Sequence, residues 1–264
     1  MLADDLRCAL DPAYFAERIG KTPDPWQARV LRSPGKRLLL NCSRQAGKST
    51  VASVAVLHRA IYDPGSLSVL ISPSLRQSSE LFRKIVGLVE RLPVKPPLVE
   101  DNRLSMTLAT GSRVVSLPSS EANIRGFSQV ALVIEDEASR VPDELYRAVR
   151  PMLATSNGSL WLMSTPFGKR GHFHTEWTEG GEIWERIDIP ATDCPRIPPE
   201  FLEEERRSLG DWWFRQEYLC EFVETTDQLF GYETVMSACD PSVKPLFTGE
   251  PHVFQSTTLF SGGA

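Results

Sequence analysis

The sequence predicts an α/β domain with a mostly parallel central sheet flanked by helices and a small helical lid or linker on its C-terminal side. Three observations carry this. Runs at 37–41, 67–72, 131–134 and 159–164 are rich in leucine and β-branched residues, and they carry apolar residues on both faces, as strands covered on both sides do. Helical candidates at 48–61, 75–91 and 142–153 fall between these runs, the order of a parallel sheet joined by crossover helices. Turn sequences punctuate the elements: Asp63-Pro64-Gly65, Pro93 to Pro97, and Ser156-Asn157-Gly158.

Taken in order, the first feature is Pro23-Asp24-Pro25-Trp26-Gln27. Either Trp26 and Gln27 offer an aromatic face and an amide that read adenine, or Trp26 is a core residue beside a surface Gln27. The strand at 37–41 then runs into Cys42-Ser43-Arg44-Gln45-Ala46-Gly47-Lys48-Ser49-Thr50. This fits GxxxxGK[ST] with one departure, Cys42 in place of the first glycine. A buried strand precedes it and an apolar-periodic helix (Val51, Val54, Ala55, Leu57) follows, which is the context of a phosphate-binding loop. The fold class is therefore a P-loop NTPase. Backbone N–H groups from Ser43 to Thr50 would face the β-phosphate of ATP. Gly47 lets the backbone come close, Lys48 reaches the β- and γ-phosphates, and the Ser49 hydroxyl holds Mg²⁺. Arg44 is either a catalytic cation or a solvated loop arginine.

Segments 103–109 and 112–117 alternate apolar and polar residues around Thr110-Gly111 and read as a β-hairpin. Asn123-Ile124-Arg125-Gly126-Phe127 follows. Arg125 is either an arginine finger, acting in its own site or a neighbour's, or a surface ion-pair residue. Next, the strand at 131–134 ends in Glu135-Asp136-Glu137. Consecutive carboxylates at a sheet edge repel, but they make sense around a metal. Asp136 is assigned to Mg²⁺ and Glu137 to polarising the attacking water. Glu135 is either turned away or fine-tuning the site. The strand at 159–164 ends in Ser164-Thr165-Pro166, where Ser164 and Thr165 either sense the γ-phosphate across the edge or merely form a turn. His172-Phe173-His174 has metal-like spacing on an expected strand. With no carboxylate or cysteine in the run, it reads as a structural pair.

Pro198-Pro199 opens an amphipathic helix at 200–209, its early glutamates favoured by the helix dipole. Asp211 is expected to cap a second helix carrying Trp212, Trp213, Tyr218, Leu219 and Phe222. Periodicity fades after about Thr225, so the expected organisation is an ATPase domain over 1–225 and a linker or remnant over 226–264.

Bulk properties bound the alternatives. The chain has 264 residues, enough for one good-sized core. Its apolar runs are too short to span a bilayer, so no membrane partner is expected. Asp4, Asp5 and Arg7 argue against a leader peptide. Five cysteines without a CxxC pair argue against a disulfide framework or zinc ribbon and fit a reducing cytoplasm. The net charge of −5 means that any nucleic-acid contact is a local patch or is shared among subunits. Arg83-Lys84, Arg103, Arg113 and Lys169-Arg170 are candidates for backbone phosphates.

The order WQ, CSRQAGKST, ISPSLRQSSELFRK, IRGFS, VIEDEA, STPFGKRGHF and FRQEYLCEF resembles the ATPase portion of tailed-phage terminase large subunits over roughly residues 20–225. The resemblance implies a motor that uses Mg-ATP to pump double-stranded DNA into a procapsid. Its implied setting is a homomeric ring docked on the portal protein in the cytoplasm of the infected bacterium, with a small terminase subunit as a further partner. It places Arg125 where the family has its proposed trans-acting finger and Gln27 at the adenine-region glutamine. It makes 164–166 the segment that couples hydrolysis to motion, and a loop arginine such as Arg44 typical. Full-length relatives continue into a nuclease with clustered carboxylates. Phe230-Gly231-Tyr232-Glu233 has no DxD-like partner further on, and Asp240 and Glu250 are too few for that site, so no competent nuclease is expected. A superfamily 2 helicase-like ATPase is the alternative, but it needs a second closing domain. A nucleotide-binding assembly protein with little turnover is a further one, opposed by the Asp136-Glu137 pair.

Overall fold

The computed structural model describes residues 2–120 and 126–224, together with Ser237. The chain divides into Met1–Thr225 and Thr226–Ala264. Of the second unit only Ser237 is described, helical and exposed. The expected finger Arg125 and the expected remnant at 226–264 lie outside the described residues.

Three helices precede the first strand: α1 (Leu2–Leu10), α2 (Pro12–Arg18) and α3 (Pro25–Arg32). Local chemistry starts the latter two. The Asp11 carboxylate accepts from the N–H groups of Ala13 and Tyr14 at 3.0 and 3.2 Å, and Pro12 supplies a preset φ in the first turn. At α3, Pro25 does the same, and the Asp24 N–H donates to Gln27 Oε1 at 2.9 Å.

The chain then runs β1 (Arg37–Cys42), α4 (Lys48–Tyr62), β2 (Leu67–Ser72), α5 (Leu75–Val89), β3 (Leu98–Asp101), β4 (Ser105–Leu108), β5 (Arg113–Pro118) and β6 (Leu132–Asp136). It continues through α6 (Asp143–Val149), β7 (Ser159–Ser164), α7 (Gly171–Glu179), β8 (Glu185–Ile189), α8 (Pro199–Leu209) and α9 (Asp211–Glu217). The described strands form one sheet in the order β3-β4-β5-β2-β6-β7-β1-β8. Every neighbouring pair from β5 to β8 is parallel, whereas β3–β4 and β4–β5 are antiparallel. No described helix is long and apolar enough to cross a membrane.

Two cores explain why the central strands are apolar on both faces. Leu38, Leu40 and Cys42 of β1, Ile134 of β6 and Met163 of β7 join residues of α1–α5 on one face. Leu39, Val133, Leu160 and Leu162 face the other way, onto Leu145 and Val149 of α6 and Phe173 of α7. A third, small cluster of Leu202, Phe214 and Tyr218 joins α8 and α9 to Ala191.

Several expectations are corrected. The His172–His174 run is helical, inside α7. Strand β6 extends through Glu135 and Asp136, so these carboxylates belong to the strand and Glu137 begins the turn. Helix α6 stops at Val149 and a 3-10 turn, Arg150–Leu153, finishes the segment, since Pro151 lacks the N–H that an α-helix would need. Gly210, not Asp211, is the capping residue of α9. Strands β3 and β8 join as unexpected edges.

Candidate active site

Strands β6, β7 and β1 are adjacent and parallel, so their C-terminal ends emerge at one edge of the sheet. Asn41 lies opposite Ser164, and Asp136 opposite Met163. Residues 43–50, 136–137 and 164–165, remote in sequence, therefore meet there.

Cys42, at the departure from the loop pattern, is the last residue of β1 and is fully buried in the core. Its side chain needs no turn freedom, which is why glycine is dispensable at this position. Burial pushes its thiol far above the usual thiol range. The glycine that geometry does require is Gly47, with φ +101. A Cβ there would lie 2.6 Å from Gln27 Nε2 and 2.9 Å from Arg196 Nη2. Thr50 and Val51 donate their N–H groups to the Gly47 carbonyl, closing the first turn of α4. Ser43 is fully buried and its N–H donates to Ile189 O at 2.9 Å. Gln45 takes a left-handed φ of 61°.

Around this loop lies a cleft of about 690 Å³, lined by residues 44–50, Glu137 and Thr165. Lys48 Nζ forms an ion pair with Glu137 Oε1 at 2.8 Å and reaches Thr165 Oγ1 at 3.5 Å. Burial opposes the lysine's charge, but Glu137 and Asp136 outweigh it and hold the ammonium above its usual range. Ser49 Oγ sits 3.4 Å from Asp136 Oδ2. Burial pushes the Asp136 carboxyl up to about 6, with Lys48 pulling the other way and Glu137 adding to the rise. A buried carboxylate this short of countercharge, beside a serine hydroxyl, fits a divalent cation that takes few protein ligands and completes its shell with water and phosphate. Among the described residues no group of three or more His, Cys, Asp or Glu could hold a metal, and magnesium beside a nucleotide does not need one.

Glu137 adopts φ 55°, ψ 43° as it enters a 3-10 turn, Ala138–Arg140. For a non-glycine residue this conformation costs about 1 kcal/mol or more, and such strain gathers where a side chain must be aimed. Ser164 is fully buried. Its Oγ lies 2.6 Å from Ser139 Oγ, which also donates to Thr165 O at 2.8 Å. The turn after Glu137 is thus fastened to the end of β7. Arg44 leans away onto α9: its Nε meets Glu217 Oε2 at 2.5 Å, and its N–H donates to Glu217 O at 3.0 Å. Gln27 is buried under the loop, with Nε2 3.5 Å from Ala46 O. Trp26 packs against the core instead of lining the cleft.

Glu135 points to the opposite face of the sheet, where it is fully buried. His172 Nε2 meets its Oε2 at 2.9 Å, and Nδ1 meets Asp143 Oδ1 at 3.1 Å. The Tyr146 ring stacks on the imidazole at 4.5 Å. His172 is thus held by carboxylates that come from other segments, whereas His174 meets the Phe222 ring.

Sequence reasoning missed several cleft residues. Gln77 and Lys84 come from α5, Arg140 from the turn after Glu137, Arg196 from the segment before α8, and Glu217 from α9. Lys84 was legible as a surface cation, and Gln77, Lys84 and Glu217 lie in segments that carry the family resemblance without a role assigned to them; Arg140 and Arg196 carried no local signal.

The family model for the large terminase subunit, T4likevirus-type, N-terminal portion matches residues 39–235. The large terminase subunit of Thermus phage G20c is 28% identical over 253 residues, covering 82% of this chain and 52% of its own length. A variant of the large terminase ATPase domain of Thermus phage P74-26 superposes with a TM-score of 0.71 at 26% identity, covering 79% of this chain and 98% of that one. The large terminase of a further thermophilic bacteriophage, solved with ADP, shares the fold with a TM-score of 0.61 at 15% identity, over 76% of this chain and 53% of its own. These matches do not favour the helicase-like alternative. The chain spans about half the length of the curated relatives it matches, and it belongs to the terminase large subunit family, over that family's N-terminal portion.

Proposed function

We propose that this chain is the ATP-hydrolysing motor portion of a terminase large subunit, which drives double-stranded DNA into a viral procapsid. The observation that carries the reading is the convergence of Lys48, Ser49, Asp136, Glu137 and Thr165 at the ends of three adjacent parallel strands. The likeness to a phage ATPase domain over 79% of the chain supports it.

In this reading the N–H groups at the start of α4 hold the β-phosphate, helped by the helix dipole. Lys48 exchanges Glu137 for the β- and γ-phosphate oxygens. That exchange frees Glu137, already aimed by its left-handed backbone, to orient the attacking water. Ser49 and Asp136 would hold Mg²⁺, which would supply positive charge against the phosphates. Thr165 and Ser164 sense the γ-phosphate side, and Ser139 ties their strand end to the turn that carries Glu137. Arg44, released from Glu217, and Arg125 supply further positive charge, Arg125 to a neighbouring subunit in a ring. Gln27 reads the base edge. The setting is the host cytoplasm, on the portal, with the small terminase subunit as a partner.

Steady-state ATP hydrolysis, with and without duplex DNA, tests the proposal. Magnesium-dependent turnover stimulated by duplex DNA is the expected result. Turnover without DNA stimulation but with strand separation of a forked duplex would turn the reading towards a helicase.

A further inference from the structure

The segment between β8 and α8 is pinned in place. The Ala191 N–H donates to Tyr218 O at 2.7 Å, and the Ile197 N–H to Cys194 O at 3.0 Å; Cys194 is buried. From this fixed base Arg196 reaches across the phosphate loop. Its Nε and Nη2 bond to Asp24 Oδ2 at 3.1 and 2.8 Å, and Nη2 also donates to Ala46 O at 2.6 Å. The guanidinium lies so close to Gly47 that a Cβ there would come within 2.9 Å of Nη2. One side chain therefore joins three segments: the start of α3, the loop backbone, and the base of α8–α9.

Its position along the site is equally informative. A second cavity, of about 180 Å³, lies beside the cleft and is lined by Lys21, Thr22, Pro23, Gln27, Thr50 and Arg196 among others. Thr50 and Arg196 line both this cavity and the larger cleft, whereas Lys48, Glu137 and Thr165 line only the cleft. In the nucleotide reading above, with the β- and γ-phosphates at Lys48 and the base towards Gln27, Arg196 lies between the two, beside the α-phosphate. The guanidinium is a planar donor fork suited to phosphate oxygens, and it is held in place beforehand by Asp24.

We propose that Arg196 binds the α-phosphate of the nucleotide and thereby links site occupancy to the α8–α9 segment. This rests on the nucleotide reading above. Asp24 positions the guanidinium and does not touch the ligand.

The test is titration of ADP and of ATPγS, with magnesium, into wild type, Arg196→Ala, Arg196→Lys, Asp24→Asn and Lys48→Ala, with circular dichroism confirming each fold. Arg196→Ala is expected to weaken both ligands by about tenfold or more, since charge-assisted bonds to phosphate are among the stronger ones. The loss should be equal for ADP and ATPγS, because both carry the α-phosphate. Lysine should restore part of the affinity. Asp24→Asn, which keeps the guanidinium but holds it less firmly, should cost less than Arg196→Ala for both ligands. Unchanged affinity in Arg196→Ala, or a loss confined to ATPγS, would each overturn the assignment. Wild type that binds neither ligand would overturn the nucleotide reading itself. Binding that is lost with Lys48→Ala but untouched by Arg196→Ala would overturn the Arg196 assignment alone.

Discussion

Replacing His172 with alanine should destabilise the fold far more than its distance from the phosphate loop suggests. Glu135 is fully buried beneath the acidic strand end, and among the described residues its Oε1 has no partner. Its remaining oxygen is satisfied by His172 Nε2 at 2.9 Å. Removing the imidazole leaves a buried carboxylate unpaired, a change that costs about 3–5 kcal/mol. For a domain of this size that corresponds to a fall of roughly 6–20 °C in melting temperature. Glu135→Gln keeps the shape and an acceptor while removing the charge, so it should cost about 1 kcal/mol, and it should rescue part of the His172→Ala loss in the double variant.

The same pair carries a pH signature. Burial disfavours the charged imidazole, but Glu135 and Asp143 outweigh it and raise its pKa above the ordinary value. A raised histidine stabilises fully below its unfolded value of about 6.5 and loses that contribution as pH rises through the folded one. The stability gap between wild type and His172→Gln should therefore be wider at pH 6 than at pH 9. Urea denaturation at both pH values measures all of these effects. A His172→Ala loss below about 1 kcal/mol, or a Glu135→Gln loss exceeding it, would show that the buried pair does not hold the fold in this way.

Other outcomes follow from the same geometry. Asp136→Asn should abolish hydrolysis yet stabilise the protein by up to about 3 kcal/mol in urea at pH 7 without magnesium. The carboxyl is pushed up to about 6, so stability falls as pH rises from the unfolded value of about 4 through 6 and stays lowered above it; equal or lower stability of the variant would contradict the burial argument. Cys42→Gly, which restores the usual loop glycine, should cost about 1–2 kcal/mol. It should leave the KM for ATP within about twofold, because Cys42 packs into the core behind the loop; a large KM change would place it in the ligand site. Mixing Arg125→Ala with Glu137→Ala subunits should restore part of the turnover if Arg125 serves a neighbour, and no recovery in assembled mixtures would refute that role.

What could be read from the chain was what is local in it. The phosphate loop and the acidic strand end announce themselves because their chemistry sits in consecutive residues, from Cys42 to Thr50 and from Glu135 to Glu137. Strands apolar on both faces gave away the parallel sheet. The rest depends on contacts between remote segments. Arg196 and Glu217 reach the loop from about 150 and 170 residues away; no motif marks Arg196, and the segment around Glu217 does not reveal its contact with the loop. His172 was misread because His-x-His mimics the two-residue period of a strand, while its partners Glu135 and Asp143 lie 37 and 29 residues distant. Strand β8, Glu185-Arg186-Ile187-Asp188-Ile189, is an edge strand whose charges hide it from a search for apolar runs. Arg44 was legible as a loop cation, but its pairing with Glu217 was not.

The most direct measurement is nucleotide binding together with single-turnover hydrolysis on wild type, Lys48→Ala and Glu137→Gln, in the presence of magnesium. Glu137→Gln is expected to bind ATP at least as tightly as wild type, because Lys48 is released from its 2.8 Å ion pair. Its turnover should fall by about a hundredfold or more. Lys48→Ala should lose both binding and turnover. Near-normal hydrolysis in Glu137→Gln, or near-normal ATP affinity in Lys48→Ala, would contradict the assignment of these residues to a hydrolytic site.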